Sequence, residues 1–288
     1  NIYGKAADDV IQAQQIDGFT TIDSGIGSDI IRVGTDVGSD AAVNIASSTL
    51  DSAINARLEV SAGGGDWDQL EFYDSGAGSA KQGKLQSQLL TGFNMSGEVQ
   101  YSDFDFTRLI MGNFDNTLYL QSTHAGQTEI DAGTGDDTIR VYSTTGVTFL
   151  NTEQGDDQIQ VNYNAEGQQT NLAGIGEGSL ILKTGYGSDH IDVGLSNTGS
   201  SLIDIFDTYS LSDKAVTKLL SADTNHPVIP IVRGSTPADE GLDALNLYGT
   251  HLDNYFLIRA NNVSEAGLSP SENIGIIASI ETDALRQP

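Results

Sequence analysis

The sequence predicts an all-β protein, a parallel β-solenoid of the β-helix or β-roll type, with coils of about 20 residues and one short helix near residues 210–222. Three observations lead to this fold class. A glycine- and aspartate-rich turn motif recurs, an alternating apolar pattern follows each copy, and the copies are evenly spaced over much of the chain. One coil cannot bury its own apolar face, whereas stacked coils can.

The turn motif reads G-x-G-x-D-x-U-x-U, where U is apolar. Glycine supplies the backbone angles that tight turns require, and aspartate bonds locally to the main chain. Full matches begin at Gly25, Gly133 and Gly185, the copy at Glu153 lacks only the first glycine, and weaker copies begin at Lys5, Gly65, Gly112 and Asp239. We name the aspartate position of the motif the slot, and its occupants are Asp9, Asp29, Asp68, Asn116, Asp137, Asp157, Asp189 and Asp243.

The slot spacing sets the length of a coil. Asp29 follows Asp9 by 20 residues, and Asp157 follows Asp137 by 20. The 39 residues between Asp29 and Asp68 predict one unmarked coil, and the other long gaps predict insertions. A second register has the same period, with apolar residues seven before the slot at Ile2, Ile22, Leu109, Ile130, Leu150 and Leu182, and threonines nine before it at Thr20, Thr107, Thr128 and Thr148.

The residues after each slot alternate as a half-buried strand does. Ile139 and Val141 therefore face inward, while Thr138 and Arg140 face outward. The same reasoning predicts interior pairs at Ile31/Val33, Leu70/Phe72, Leu118/Leu120, Ile159/Val161, Ile191/Val193 and Leu245/Leu247.

These turns resemble the Ca²⁺-binding repeats of RTX (hemolysin-type) proteins, whose unit is G-G-x-G-x-D-x-U-x. The run from Leu90 to Gly146 also resembles β-solenoid segments of giant bacterial surface and adhesin-like proteins. The chain departs from the RTX pattern in having one glycine-rich turn per coil and a plain Thr/Ser/Gly turn opposite. The resemblance therefore implies calcium sites in a row on one edge. The ligands it implies are Asp9, Asp29, Asp136, Asp137, Asp156, Asp157 and Asp189, with Gly25, Gly27, Gly133, Gly135, Gly155, Gly185 and Gly187 in the turns.

Electrostatics gives an independent reason to expect a cation. Slot carboxylates stacked about 4.8 Å apart repel by about 0.9 kcal/mol at the dielectric of water and about 3.5 kcal/mol at an effective value of 20. We expect Asp9 to stack on Asp29 and Asp137 on Asp157, with Asp189 joining Asp157 if residues 164–176 loop out. The alternative is a set of Asx turns with solvated carboxylates, which we favour at the degenerate slots Asp68, Asn116 and Asp243.

The charge and the cysteine content of the chain limit the ligands and macromolecules that it can bind. The chain has 40 acidic and 13 basic residues, a net charge of −27 and no cysteine. Nucleic acid would be repelled, and a metal would need oxygen ligands, which suits Ca²⁺ or Mg²⁺. No apolar run is long enough to predict a membrane-spanning helix. An extracellular, calcium-rich location is expected, although acidic halophilic cytosolic proteins share this composition.

The chain divides into five predicted regions. Ser212 as an N-cap, with Leu219 and Leu220 at helical spacing, predicts the short helix. The regions are 1–75 as N-terminal coils, 76–107 as a loop or cap insertion with an entry strand, 108–200 as central coils, 201–240 as an irregular insertion containing the helix, and 241–288 as C-terminal strands. The start lacks an initiating Met and a leader, which suggests a processed product or a segment of a longer protein.

The function predicted from these observations is an extracellular calcium-binding structural module, adhesive or filament-forming, without enzymatic activity. Apolar ends predict head-to-tail association with copies or sister domains, unless the chain is part of a longer one. The alternative is a non-catalytic, RTX-like accessory module of a secreted carbohydrate-active enzyme, such as a lyase or epimerase.

The sequence gives little support for catalysis, for sugar or metal binding by single residues, or for ice binding. Catalysis on acidic sugars would need clustered cations, but Arg32 and Arg140 belong to distant coils. The scattered histidines read as polar surface residues, and the lone Trp67 as packing rather than a sugar platform. An ice-binding array of Thr20, Thr128 and Thr148 is short and interrupted.

Overall fold

A computed structural model describes residues 1–37, 47–65, 67–164, 166–167, 179–194, 203–206, 244–248 and 275–278. These residues form 20 strands and no α-helix. The predicted helix near 210–222 and the slot at Asp243 lie outside the described residues, as does most of the predicted insertion at 201–240. No helix in the described part of the chain has the length and apolar character needed to cross a membrane.

The strands form two sheets, an eleven-stranded first sheet and a nine-stranded second sheet. In spatial order, the first sheet contains β1 (Ile2–Tyr3), β3 (Thr20–Asp23), β5 (Leu58–Ser61), β9 (Val99–Ser102), β8 (Leu89–Gly92), β7 (Gln82–Gln86), β11 (Thr117–Leu120), β13 (Thr138–Val141), β15 (Gln158–Val161), β17 (His190–Gly194) and β19 (Ala244–Tyr248). The second contains β2 (Val10–Ala13), β4 (Ile30–Val33), β6 (Gln69–Tyr73), β10 (Phe106–Ile110), β12 (Gln127–Asp131), β14 (Thr148–Asn151), β16 (Leu180–Lys183), β18 (Ile203–Phe206) and β20 (Gly275–Ala278).

The chain passes from one sheet to the other and back, so most coils contribute one strand to each. Most neighbouring coils pair in parallel and in register, as Ile139 with Ile159 and Ile130 with Leu150. At the end of the second sheet, β20 pairs antiparallel with β18. The inward side chains of both sheets share one apolar core. The predicted all-β parallel solenoid is therefore confirmed, and every predicted interior pair except Leu245/Leu247, whose side chains lie outside the description, is buried.

The predicted unmarked coil between Asp29 and Asp68 is wrong. Strand β4 pairs directly with β6, Ile30 lying beside Gln69, and β3 pairs directly with β5. The extra residues lie between β4 and β5, where Leu50 and Ile54 are buried in the core. An insertion within one coil therefore mimics the spacing of two.

Residues 82–92 form two strands where the sequence suggested a loop or cap. Strand β7 pairs in parallel with β11, and β8 runs antiparallel between β7 and β9. The inward residues are Gly83, Leu85 and Leu90, and a side chain at Gly83 would clash with the ring of Phe93. Because glycine stands at one of the two inward positions of β7, Leu85 is its only inward apolar side chain, and the alternation is hard to recognise.

This insertion moves the acidic turns from one edge of the solenoid to the other. In the first three coils the acidic turn leads from the first sheet to the second, as from β3 through Asp29 to β4. Strands β7, β8 and β9 all lie in the first sheet, and afterwards the acidic turn leads from the second sheet to the first, as from β12 through Asp137 to β13. The expectation of a single row on one edge is therefore wrong. We name the slots Asp9, Asp29 and Asp68 the N-terminal row, and the slots Asn116, Asp137, Asp157 and Asp189 the C-terminal row.

Candidate cation-binding rows

From Asp29 to Asp189, each slot side chain accepts a hydrogen bond from the main chain of the preceding coil. The N–H of Asp9 donates to Oδ1 of Asp29 at 2.8 Å, and the N–H of Asp137 donates to Oδ1 of Asp157 at 2.8 Å. The other bonds of this slot ladder join Asp29 N to Asp68, Lys81 N to Asn116, Asn116 N to Asp137, and Asp157 N to Asp189. The predicted stacking of Asp9 on Asp29, of Asp137 on Asp157, and of Asp157 on Asp189 is thus observed in these main-chain contacts.

The residue before the slot forms a second ladder with the opposite direction. Oδ1 of Asp136 accepts from the N–H of Asp156 in the following coil at 2.8 Å, and Oδ1 of Asp156 accepts from the N–H of Ser188 at 2.8 Å. Asp8 and Asp115 act in the same way toward Ser28 and Asp136. These carboxylates are exposed, whereas the slots of the C-terminal row are buried. The turns at Asp137 and Asp157 therefore each present one buried and one exposed carboxylate.

The glycines allow the turns to stack closely. The first glycines, Gly25, Gly133 and Gly185, have φ between 90° and 99°, and Glu153, which replaces one of them, has a φ of 69°. A side chain at the third-position Gly155 would clash with the carbonyl oxygen of Gly135 in the preceding coil. Gly27, Gly135 and Gly187 are similarly confined by a neighbouring main chain. The incomplete copy at Glu153 therefore has the same turn geometry as the full matches.

Asn116 shows what surrounds the side-chain atom of a slot that takes no part in the ladder. Its Oδ1 accepts from Lys81, while its Nδ2 donates to the carbonyl oxygens of Gly112 at 2.8 Å and Ala132 at 3.3 Å. The second polar atom of the Asn116 side chain thus lies among main-chain carbonyl oxygens, and the amide nitrogen donates hydrogen bonds to them. A carboxylate oxygen in the same place would face the partial negative charge of these carbonyl oxygens, so a proton or a cation would be needed between them.

Three of the aspartate slots are not satisfied in this way. Oδ2 of Asp29, Asp137 and Asp157 is buried without a hydrogen-bond partner. Burial raises the pKa of Asp137 to about 8, with a further contribution from the charge of Asp157, against hydrogen bonds from Asn116. Burial likewise raises the pKa of Asp157 to about 7, against hydrogen bonds from the Thr152 side chain and the Asp137 main chain, and the charges of Asp136 and Asp156 raise it further. When these buried carboxyl groups ionise, the charge on Oδ2 therefore lacks a compensating positive partner.

An oxygen-ligated cation fits these turns, although side chains alone would not hold it. Within the described residues, no three His, Cys, Asp or Glu side chains converge as a metal-binding group. Calcium takes six to eight oxygen ligands, so carbonyl oxygens would have to supply most of the shell. The carbonyl environment seen at Asn116 supplies groups of this kind.

Three residues in these ladders were not predicted. Asp105 accepts from the N–H of Asp68 at 2.9 Å and so ends the N-terminal row, yet Tyr101 and Asp103 occupy the two glycine positions of the motif before it. Asp8 and Asp115 stand one place before a slot, as Asp136 and Asp156 do, and that shared offset could have identified them. The degenerate slots Asp68 and Asn116 are buried members of the ladder rather than solvated Asx turns.

The two arginines considered for catalysis on acidic sugars lie on different sheets. Arg32 is on the second sheet and bonds to Glu71, whereas Arg140 is on the first sheet and bonds to Gln160. Trp67 packs beside the buried cluster that contains Phe106, which agrees with the packing interpretation.

The contacts of a histidine and the burial of two threonines also favour structural roles for these residues. His124 is half-buried and bonds within its own turn to Gln127 and Gly126. Thr128 and Thr148 are buried in the second sheet, so they cannot form an ice-binding surface with Thr20.

Comparison with protein-family models gives no match for this chain, and comparison with curated proteins gives none either. A function must therefore be argued from the fold and from the geometry of the turns.

Proposed function

We propose that this chain is an extracellular, calcium-binding structural module of the RTX-like repeat type, adhesive or filament-forming and without catalytic activity. The observation that carries the proposal is the buried Oδ2 of Asp137 and Asp157, which lacks a hydrogen-bond partner in stacked glycine turns. In the same row, Asn116 satisfies this position by donating to carbonyl oxygens. A Ca²⁺ ion would supply the missing positive charge and accept the carbonyl oxygens as ligands.

The ladders define which oxygens remain for the ion. Oδ1 of Asp157 is engaged by the main chain of Asp137, so Oδ2 is the oxygen left to ligate. The exposed carboxylates of Asp136 and Asp156 stand one residue away, and each also has one oxygen engaged by the next coil. An ion between two coils would therefore couple strand pairs that hydrogen bonds already align.

The type of site supports the extracellular location that we propose. Sites of extracellular modules bind calcium in the 10⁻⁴ to 10⁻³ M range, roughly the concentration at which a shell rich in neutral carbonyl oxygens is expected to fill. A net charge of −27 makes the same ions favourable as general counterions. Absence of cysteine from the sequence leaves an all-oxygen donor set.

Association remains part of the proposal. Within the described residues, β1 and β2 each pair with a neighbour on one side, and Ile2 is 46% exposed. Such an edge accepts further strands, either from another copy of this chain or from a longer chain that continues the solenoid. Light scattering with and without Ca²⁺ distinguishes a monomer from an assembly.

Calorimetric titration with Ca²⁺ and thermal melting test the calcium site. Ca²⁺ should raise the melting temperature and a chelator should lower it. Asp137→Asn and Asp157→Asn keep the Oδ1 acceptor but remove the charge, so each should weaken calcium binding. If the two residues share an ion, the double variant loses no more sites than either single variant.

A matched control is Glu98→Gln, which removes one surface carboxylate outside both rows. It should leave the calcium stoichiometry unchanged. A melting temperature that does not respond to chelator would contradict the calcium proposal. An equal loss of binding in Glu98→Gln would show that the effect is general charge screening rather than a site.

A further inference from the structure

The outer face of the first sheet carries a groove that the calcium rows do not use. It has a volume of about 490 Å³ and crosses β1, β3, β5 and β9. Three strand spacings make this span roughly 14 Å. The side chains that shape it include Tyr3, Thr21, Asp23, Glu59, Gln100 and Ser102.

A second hollow extends the groove beyond β9. Its volume is about 220 Å³, and it shares Gln88, Tyr101 and Ser102 with the first. Asp103 and His124 line its far side. The two hollows therefore form one elongated depression rather than a closed pocket.

The lining is rich in hydroxyl, amide and carboxylate groups. Thr21 and Ser102 offer hydroxyls, Gln88 and Gln100 offer amides, and Asp23 contributes a carboxylate. Pockets for apolar small molecules are lined mainly by hydrophobic side chains, and this groove is not, so an apolar ligand is a poor match. A ligand that carries many groups able both to donate and to accept hydrogen bonds is the better match.

Several of these groups are held in place by neighbours. Thr21 donates to Asn1 at 2.6 Å, and Ser102 donates to Asp103 at 2.7 Å. Arg57 contacts both Glu59 and Gln100 from outside the groove. Side chains fixed in this way lose little conformational freedom when a ligand binds.

Charge and shape restrict the ligand further. The described side chains that line the larger hollow include Asp23 and Glu59 but no Lys, Arg or His. Arg57 pairs with Glu59 from outside the groove, so Asp23 is the charge that repels an anionic ligand. At the β1 end Tyr3 is 67% exposed, which leaves its ring available for contact with an apolar C–H face. We propose that this groove binds an uncharged oligosaccharide, with Tyr3 contacting one sugar ring and Glu59, Gln100 and Ser102 bonding to its hydroxyls.

Affinity electrophoresis through soluble dextran, mannan, galactan and xyloglucan tests the proposal, with polygalacturonate as the charged polymer. We expect at least one neutral polymer to retard the chain and polygalacturonate not to. Tyr3→Ala and Gln100→Ala should each weaken that retardation by about tenfold. Tyr119→Ala is the matched control, because Tyr119 lies on the same sheet at β11, away from the groove.

Each outcome decides the question. Retardation that Tyr3→Ala and Gln100→Ala lose and Tyr119→Ala keeps supports the groove. Absence of retardation by all four neutral polymers, an equal effect of Tyr119→Ala, or stronger retardation by polygalacturonate overturns it. The groove uses no slot carboxylate, and a melting curve for each variant confirms folding. Failure of this proposal is therefore distinguishable from failure of the calcium proposal.

Discussion

The main-chain N–H of Asp137 donates a 2.8 Å hydrogen bond to Oδ1 of Asp157, the equivalent residue one coil further along the chain. The other oxygen of Asp157 is buried without a hydrogen-bond partner. One carboxylate therefore has two separable roles, because Oδ1 aligns the coils and Oδ2 is left for a proton or a cation. Asn116 performs the first role with an amide in the same row.

Substituting Asp157 separates these roles. In chelator, Asp157→Ala should lower the free energy of unfolding by about 1–3 kcal/mol, because it leaves the buried N–H of Asp137 without an acceptor. Asp157→Asn keeps the acceptor and removes a buried charge, so it should be close to neutral. Urea denaturation measures both. Equal destabilisation by Ala and Asn in chelator would show that the hydrogen bond is not the main contribution.

Glycine at the third turn position is required by the stacking itself. Gly155 has a φ of 149°, and a side chain there would clash with the carbonyl oxygen of Gly135. Gly155→Ala should therefore destabilise the chain by roughly 1–3 kcal/mol. Gly18→Ala is the matched control, since nothing lies within 4 Å of an added Cβ at Gly18. Equal unfolding midpoints for the two variants would contradict the close-approach argument.

A buried chain of charges crosses the outer face of the second sheet. Arg108 lies 2.5 Å from Glu129 and 3.7 Å from Glu71, and Glu71 also bonds to Arg32. Arg108→Met would leave two carboxylates without this partner and should cost about 3–5 kcal/mol.

The matched control for this charge chain is Arg57→Met. Arg57 is 47% exposed and pairs with Glu59 and Glu98 at the surface, so its loss should cost at most about 1 kcal/mol. Chemical denaturation of both variants checks the contrast. Similar costs for the two would show that burial does not strengthen the Arg108 contacts.

Much of the solenoid could be predicted because its signal is local. The 20-residue spacing of Asp137 and Asp157 and the alternation at Ile139 and Val141 follow directly from stacking and from the two-residue period of a strand. The ladder partners Asp9 and Asp29 were found in the same way, since each stands at one place in a repeated turn.

The change of edge could not be predicted, because it depends on pairing over a long sequence separation. Nothing local shows that β7 joins β11 while β9 joins β5. Asp105 was missed because it enters the ladder without the two glycines of the motif before it. At Asn116 the sequence suggested a weakened site, but the side chain bonds to main-chain groups in two neighbouring coils, and sequence alone does not show those contacts.

The final prediction concerns pH. Burial raises the pKa of Asp137 to about 8 and that of Asp157 to about 7, from an ordinary value of 3.8. Burial also raises the pKa of Asp74, outside the rows, to about 7. Between about pH 4 and 8 the folded chain thus binds protons that the unfolded chain has released. Without calcium the free energy of unfolding should therefore fall as pH rises through this window, by up to about 1.4 kcal/mol per pKa unit for each group.

Calcium should oppose this loss, because it competes with the protons for the same carboxylates. The gain in melting temperature from Ca²⁺ should therefore be larger at pH 8.5 than at pH 5.5. The double variant Asp137→Asn with Asp157→Asn should show a flatter pH profile in chelator, with the contribution of Asp74 remaining. Urea denaturation across this pH range, with Ca²⁺ and with chelator, measures both effects. A calcium-free chain that becomes more stable from pH 5.5 to 8.5 would contradict the burial of ionisable slot carboxylates, because a raised pKa in the folded state requires the opposite slope.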